Sequence, residues 1–170
     1  MRDLGRVEMS ASSMDKVKKE KRYRPNVAAL LLNNDDKVLI AERIRHANSW
    51  QFPQGGVDRG EAPDEALFRE LREEIGTPAH LVHVLDRKEG YRYEFPSSMR
   101  RFGSNIGQEQ TYFLCRFLGS DRDINLRTRH PEFRSFKWID PRDFELDWLP
   151  EFKHGVYRAV LKDFFGVEFP

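Results

Sequence analysis

An α/β fold, with a mixed sheet and helices packed on its faces, follows from three features of this chain. Short apolar runs are separated by turn clusters, two longer segments carry helical periodicity, and the strands and helices are interleaved. At 170 residues the chain fits one domain with a genuine core and is too short for two independent ones.

Residues 1–21 are polar and charge-rich, with Ser10, Ser12, Ser13 and a basic run through Lys16, Lys18, Lys19 and Lys21, and are expected to form a flexible tail ahead of a domain spanning 22–170. An RNA-binding arm is the sharper alternative for this stretch, and Met9 or Met14 are alternative starts. Val27 to Leu32 is continuously apolar; the turn cluster Asn33-Asn34-Asp35-Asp36 follows, then Val38-Leu39-Ile40-Ala41, which reads as strand, tight turn and strand. Short strands are expected at 50–52, 81–85 and 91–95, with longer ones at 110–118 and 133–139. A first helix is predicted over 63–75: Pro63 suits its first turn, Gly76 the positive φ of its C-terminus, and Pro78 blocks continuation. A second is predicted over 152–165, with Val156, Val160 and Phe164 at spacing four and Leu161 and Phe165 beside them.

Composition excludes several classes. Twenty-nine Lys and Arg against 28 Asp and Glu leave a formal charge of +1, so no global field attracts nucleic acid or membrane, and a polyanion must be caught locally. The single cysteine, Cys115, reads as a packed strand residue; it can form no internal disulfide and suits a reducing compartment. With no signal-like apolar run and no 18 apolar residues together, a cytoplasmic location without membrane association is expected. The histidines form no cluster, and His80 with His83 lacks further ligands for zinc.

The chemistry concentrates in Gly55-Gly56-Val57-Asp58-Arg59-Gly60-Glu61 and Arg69-Glu70-Leu71-Arg72-Glu73-Glu74-Ile75-Gly76. At 100° per residue, Leu67, Phe68, Leu71 and Ile75 share one arc of the first helix, and Glu70, Glu73 and Glu74 share the arc beside it. Three bare carboxylates at i, i+3 and i+4 repel by a few tenths of a kcal/mol per pair. Hard oxygen ligands select a hard cation, so Mg²⁺ or Mn²⁺ shared with substrate phosphates is the natural occupant. The plainer alternative is a solvated acidic face braced by Glu65 with Arg69 or Arg69 with Glu73. Against it stands the preceding loop, whose glycines 55, 56 and 60 permit a tight turn that approaches phosphate or metal closely.

The spacing Gly55, Glu61, Arg69-Glu70-Leu71, Glu73-Glu74, Gly76 resembles the Nudix box, an eight-position coincidence expected by chance about once in 10⁹ windows. Thr77 departs from it, where the family has a bulky aliphatic residue. Tyr23-Arg24-Pro25-Asn26, Trp50 to Gly56, Pro131-Glu132-Phe133 and Phe152-Lys153 with Val156-Tyr157 resemble the bacterial RNA pyrophosphohydrolase branch, close to the dinucleoside polyphosphate hydrolases. The resemblance covers roughly residues 22 to 165 and implies a Nudix α/β/α sandwich with a mixed β-sheet between helices.

It further implies that Glu70 and Glu74 bind divalent metal, helped by the carbonyl of Gly55, and that Glu73 binds metal or orients the attacking water. Glu132 matches an additional glutamate that serves as metal ligand or general base, while Arg69 fixes box carboxylates and Glu61 is a structural partner of the loop and helix and not a metal ligand. Arg24 and Lys153 would reach phosphates, Phe152 would stack a base, and Arg43, Ser49, Tyr93 and Gln110 fall at further substrate-binding places. The loop 96–107, with Arg100 and Arg101, either rims the site against an RNA backbone or is merely mobile.

Mg²⁺-dependent hydrolysis of 5′-triphosphate RNA to 5′-monophosphate RNA, initiating RNA decay, is the leading expectation. A dinucleoside polyphosphate hydrolase of Ap4A type is the second, and product analysis on both substrates separates them. A non-catalytic RNA- or nucleotide-binding module is the third, and intact Glu70, Glu73 and Glu74 argue against it. A monomer is expected, because no long exposed apolar stripe remains. Whether a protein partner stimulates the enzyme is open at this level.

Overall fold

The computed structural model describes residues 22–101 and 104–170. The expected 1–21 tail therefore lies outside the described residues, as do two positions of the 96–107 loop. Among the described residues seven strands form one sheet: β1 (Tyr23–Leu32), β2 (Val38–Arg43), β3 (Trp50–Gln51), β4 (Gln54–Gly56), β5 (Val82–Glu94), β6 (Gly107–Phe117) and β7 (Phe133–Ile139). Two α-helices accompany them, α1 (Pro63–Ile75) and α2 (His154–Phe165). The main path runs β3-β2-β1-β6-β5, with β4 on β1 and β7 on β2. The β1–β6 pairing is parallel and the others are antiparallel, so the sheet is mixed.

The continuous apolar run of β1 is explained by burial on both faces. Successive side chains alternate: Val27, Ala29 and Leu31 join one core, and Ala28, Leu30 and Leu32 the other. The first core is closed by Ala66, Leu67, Leu71 and Ile75 of α1. The second is closed by Val156, Tyr157, Val160 and Leu161 of α2. Helix, sheet and helix thus form the expected sandwich. Helix α1 begins at Pro63, where the carboxylate of Glu65 accepts from the Ala62 N–H, and ends at Gly76 with φ 64°.

Three expectations are corrected. The glycines at 55 and 56 do not make a turn: they form β4, paired antiparallel with Asn26–Ala28, and of the loop's glycines only Gly60 takes a positive φ. The strands expected at 81–85 and 91–95 are one strand, β5, continuous through irregular registers on either side of Arg87. The final helix begins two residues late, because 151–153 is a 3₁₀ turn. Cys115 is buried in β6. Thr77 is fully buried too, its hydroxyl donating to the Asp123 carbonyl at 3.4 Å in the place of a larger aliphatic group.

Candidate active site

Arg69 is the hub of the α1 wall. Its planar guanidinium donates to both oxygens of Glu61 at 2.7 and 2.9 Å, to the Gly56 carbonyl at 2.7 Å, to Glu70 at 2.8 Å and to Glu73 at 3.3 Å. These bonds pull the Glu61 carboxyl down to about 2, with the Asp58 N–H as the second contributor. They also join β4, the loop and α1 into one rigid unit. Glu65 takes no part in the bracing, being turned to Ala62.

Gly55 shows why that strand carries no side chain. A Cβ there would lie 1.8 Å from the Glu70 carboxyl carbon, so the carboxylate rests directly on the β4 backbone. A Cβ at Gly56 would meet the Arg24 guanidinium at 2.2 Å, which places Arg24 over the other side of that strand.

Glu74 is 3% exposed and accepts from the Gln54 N–H at 2.9 Å. Burial pushes its carboxyl well above the ordinary range; Glu132, which also hydrogen-bonds to it, pushes the same way. Glu70 is raised as well, chiefly by burial and against the pull of Arg69. Glu70, Glu73, Glu74 and Glu132 line one cavity of about 430 Å³. Among the described residues no three of His, Cys, Asp or Glu already converge on one ion position. The reason is visible: Arg69 holds an oxygen of Glu70 and Gln54 holds one of Glu74. Four facing carboxyls with only oxygen donors, of which Glu70 and Glu74 have their ionised forms disfavoured by burial and by their acidic neighbours, fit a hard divalent cation and no soft one.

The substrate-side residues form a second group, outside that cavity. Lys153 is buried, and burial followed by Arg43 brings its amine down to about 8, with Glu74 opposing. The three charges therefore share one neighbourhood. Ser49 accepts through its carbonyl from the Arg43 N–H at 3.0 Å. Phe152 packs on Tyr93 and Phe95, with ring centroids 5.5 and 6.3 Å away. Tyr93 is buried, its hydroxyl donating to Gln108, and the Lys153 Nζ lies 5.8 Å from its ring centre. Gln110 is fully buried and bonded internally: its amide donates to Asn26 and Gln54, and its carbonyl oxygen accepts from Tyr112. It reaches the carboxylates only through Gln54. Arg100 is engaged by Glu94 and the Phe95 carbonyl.

Arg72, Thr128, Arg129 and His130 also line the carboxylate cavity, and sequence reasoning misses all four. The available signal is the basic stretch directly before Glu132, which has no periodicity of its own.

A model of the NUDIX domain matches residues 22–161. The chain is 40% identical over 147 residues to a protein of Sphingopyxis alaskensis named RNA pyrophosphohydrolase, covering 84% of this chain and 92% of that one. Among solved structures, it resembles the E. coli dihydroneopterin triphosphate pyrophosphohydrolase, with TM-score 0.60, 21% identity, and 85% of this chain and 97% of that chain covered. A C. elegans Ap4A hydrolase binary complex matches with TM-score 0.57 and 17% identity over 83% of this chain and 98% of that chain. At those identities the two structures speak to the fold, and the fold agrees.

Proposed function

The chain belongs to the Nudix family, and from that premise we propose that it is a Mg²⁺-dependent RNA pyrophosphohydrolase that converts 5′-triphosphate RNA to 5′-monophosphate RNA. One observation carries the hydrolytic part: four glutamates, Glu70, Glu73, Glu74 and Glu132, surround one cavity beside the buried cation of Lys153. The choice of RNA is supported by the name of the 40% identical relative.

Glu70, Glu74 and the Gly55 carbonyl would hold Mg²⁺, for which Mn²⁺ can substitute, with Glu73 and Glu132 completing the donor set. Bound there, the ion supplies charge neutralisation at phosphate oxygens and a more acidic water. The residues do the rest. Glu73 or Glu132 accepts the proton of the attacking water. Arg69 keeps the box carboxylates aimed. Lys153, Arg43 and Arg24 contact the phosphates, and Phe152, backed by the Tyr93 ring, stacks a base on its free face. No helix among the described residues is long and apolar enough to cross a membrane, and the cytoplasm is the proposed location.

A side-by-side Mg²⁺ assay of a short 5′-triphosphate RNA and Ap4A tests the reading. Higher kcat/KM on RNA, with 5′-monophosphate RNA as product, is expected. Preferential Ap4A cleavage would replace it by the dinucleoside polyphosphate reading.

A further inference from the structure

Resting on the hydrolytic reading above, we propose that the cavity behind the 127–134 segment is a second nucleoside compartment, which receives the group on the far end of the polyphosphate chain. This cavity, of about 500 Å³, is distinct from the carboxylate cavity and within the size range of small-molecule sites.

The two cavities lie on either side of the chain from Arg127 to Arg134. At its bend, Arg129 and His130 both line the carboxylate side; beyond it Glu132 stays on that side while Pro131 and Phe133 line the other. Thr128 lines both. Its Oγ1 is buried and has no hydrogen-bond partner among the described residues, a cost that a ligand atom at this point would remove. The two cavities therefore share a wall at Thr128 that carries a buried polar group without a partner among the described residues.

The cavity on the far side of Thr128 has the chemistry of a nucleotide site. Ile44, Leu126 and Pro131 offer an apolar surface for a base, with the core residues Ile124 and Phe133 buried behind them. Arg127 and Arg134 flank it, and they differ: Arg134 is held 3.5 Å from Glu42, whereas Arg127 makes no ion pair with a described acid. Arg127 is accordingly the guanidinium available to a phosphate or to the face of a base. A 5′-triphosphate RNA ends in a phosphate and leaves this compartment unused. A dinucleoside polyphosphate carries a second base that fills it, so the compartment acts on substrate range and not on the chemistry.

The test measures kcat/KM for Ap4A and for 5′-triphosphate RNA in the parent enzyme and in Ile44→Ser and Arg127→Ala, both at surface positions. Amide NMR shifts on adding AMP are followed in parallel. The expected result is a fall of about five- to tenfold on Ap4A with less than about twofold change on RNA. AMP shifts at residues 124–134, weakened in Arg127→Ala, are expected with it. Equal losses on both substrates, no loss on either, or AMP shifts confined to the surroundings of Phe152 would overturn the proposal. A parent enzyme inactive on RNA would instead defeat the RNA reading, with the AMP titration still deciding for or against the compartment.

Discussion

Helix α1 and the 127–134 segment face each other across the carboxylate cavity, and they are held in opposite ways. On α1, Arg69 ties Glu61, Glu70, Glu73 and the Gly56 carbonyl together, and Leu67, Leu71 and Ile75 anchor the helix in the core. The facing segment is irregular chain, bent at 129–130, between two cavities, with exposed Arg127, Arg129 and His130 and a Thr128 hydroxyl that has no partner among the described residues. One wall is organised before any ligand arrives. The other leaves a polar group which, on the proposal above, a ligand completes, in keeping with substrate range being set on loops carried by a rigid scaffold.

If that contrast is right, damage to the α1 wall abolishes turnover. Glu73→Gln should lower kcat by about 10²–10⁴-fold. Because the Glu73 side chain is 59% exposed, its unfolding midpoint in urea should stay put. Arg69→Lys keeps the charge and loses the fork. Affinity for Mg²⁺, followed by titrating activity against the metal, should weaken by about 10–100-fold.

Lys153 sharpens the comparison from the substrate side. Its amine, brought down to about 8, is charged below that pH and neutral above it. The value of kcat/KM on triphosphate RNA should therefore fall as pH rises through about 8, and Lys153→Arg should flatten that fall. A parent profile unchanged by the substitution would remove Lys153 from the phosphate contacts.

Acid behaviour reports on the α1 hub. Glu61 is lowered from an ordinary 4.5 to about 2, so its contribution to stability is present in full above about 4.5 and is lost as pH falls through about 2. The difference in Tm between parent and Glu61→Gln should shrink over that window. The smallest effect belongs to the opposite wall: Thr128→Val removes an unsatisfied hydroxyl at nearly constant volume and should raise stability, by about 1 kcal/mol in urea denaturation. A loss of stability there would mean that the Thr128 hydroxyl is already satisfied and that both walls are organised before the ligand binds.

The same contrast governs what the sequence can reveal. The limits of α1 are readable because Pro63, Gly76 and a 3.6-residue seam all mark them, and β7 because Phe133, Phe136, Trp138 and Ile139 give it strand character; the end of β1 is readable at the turn cluster after Leu32, but its start at Tyr23 is not, since Tyr23 to Asn26 is a polar extension of the apolar run. β4 is not readable, since Gln-Gly-Gly has no strand propensity; it pairs with β1, and its glycines leave the bare backbone on which the Glu70 carboxylate and the Arg24 guanidinium rest. β5 hides its continuity behind the polar stretch 85–90, where half of the strand faces outward and the register is broken twice. Gln110 can be found but not understood: sequence shows an amide, while its closed set of bonds to Asn26, Gln54 and Tyr112 exists only once β1, β4 and β6 are side by side. The lining from Thr128 to His130 carries no periodic signal, because it belongs to no helix or strand.

The most direct test of the central claim is chromatography of 5′-triphosphate RNA after incubation with the parent protein in Mg²⁺, with the same reaction repeated in excess chelator and with Glu73→Gln. The account predicts 5′-monophosphate RNA in the first reaction and almost none in the other two. Equal product in all three, or none from the parent in Mg²⁺, would contradict it.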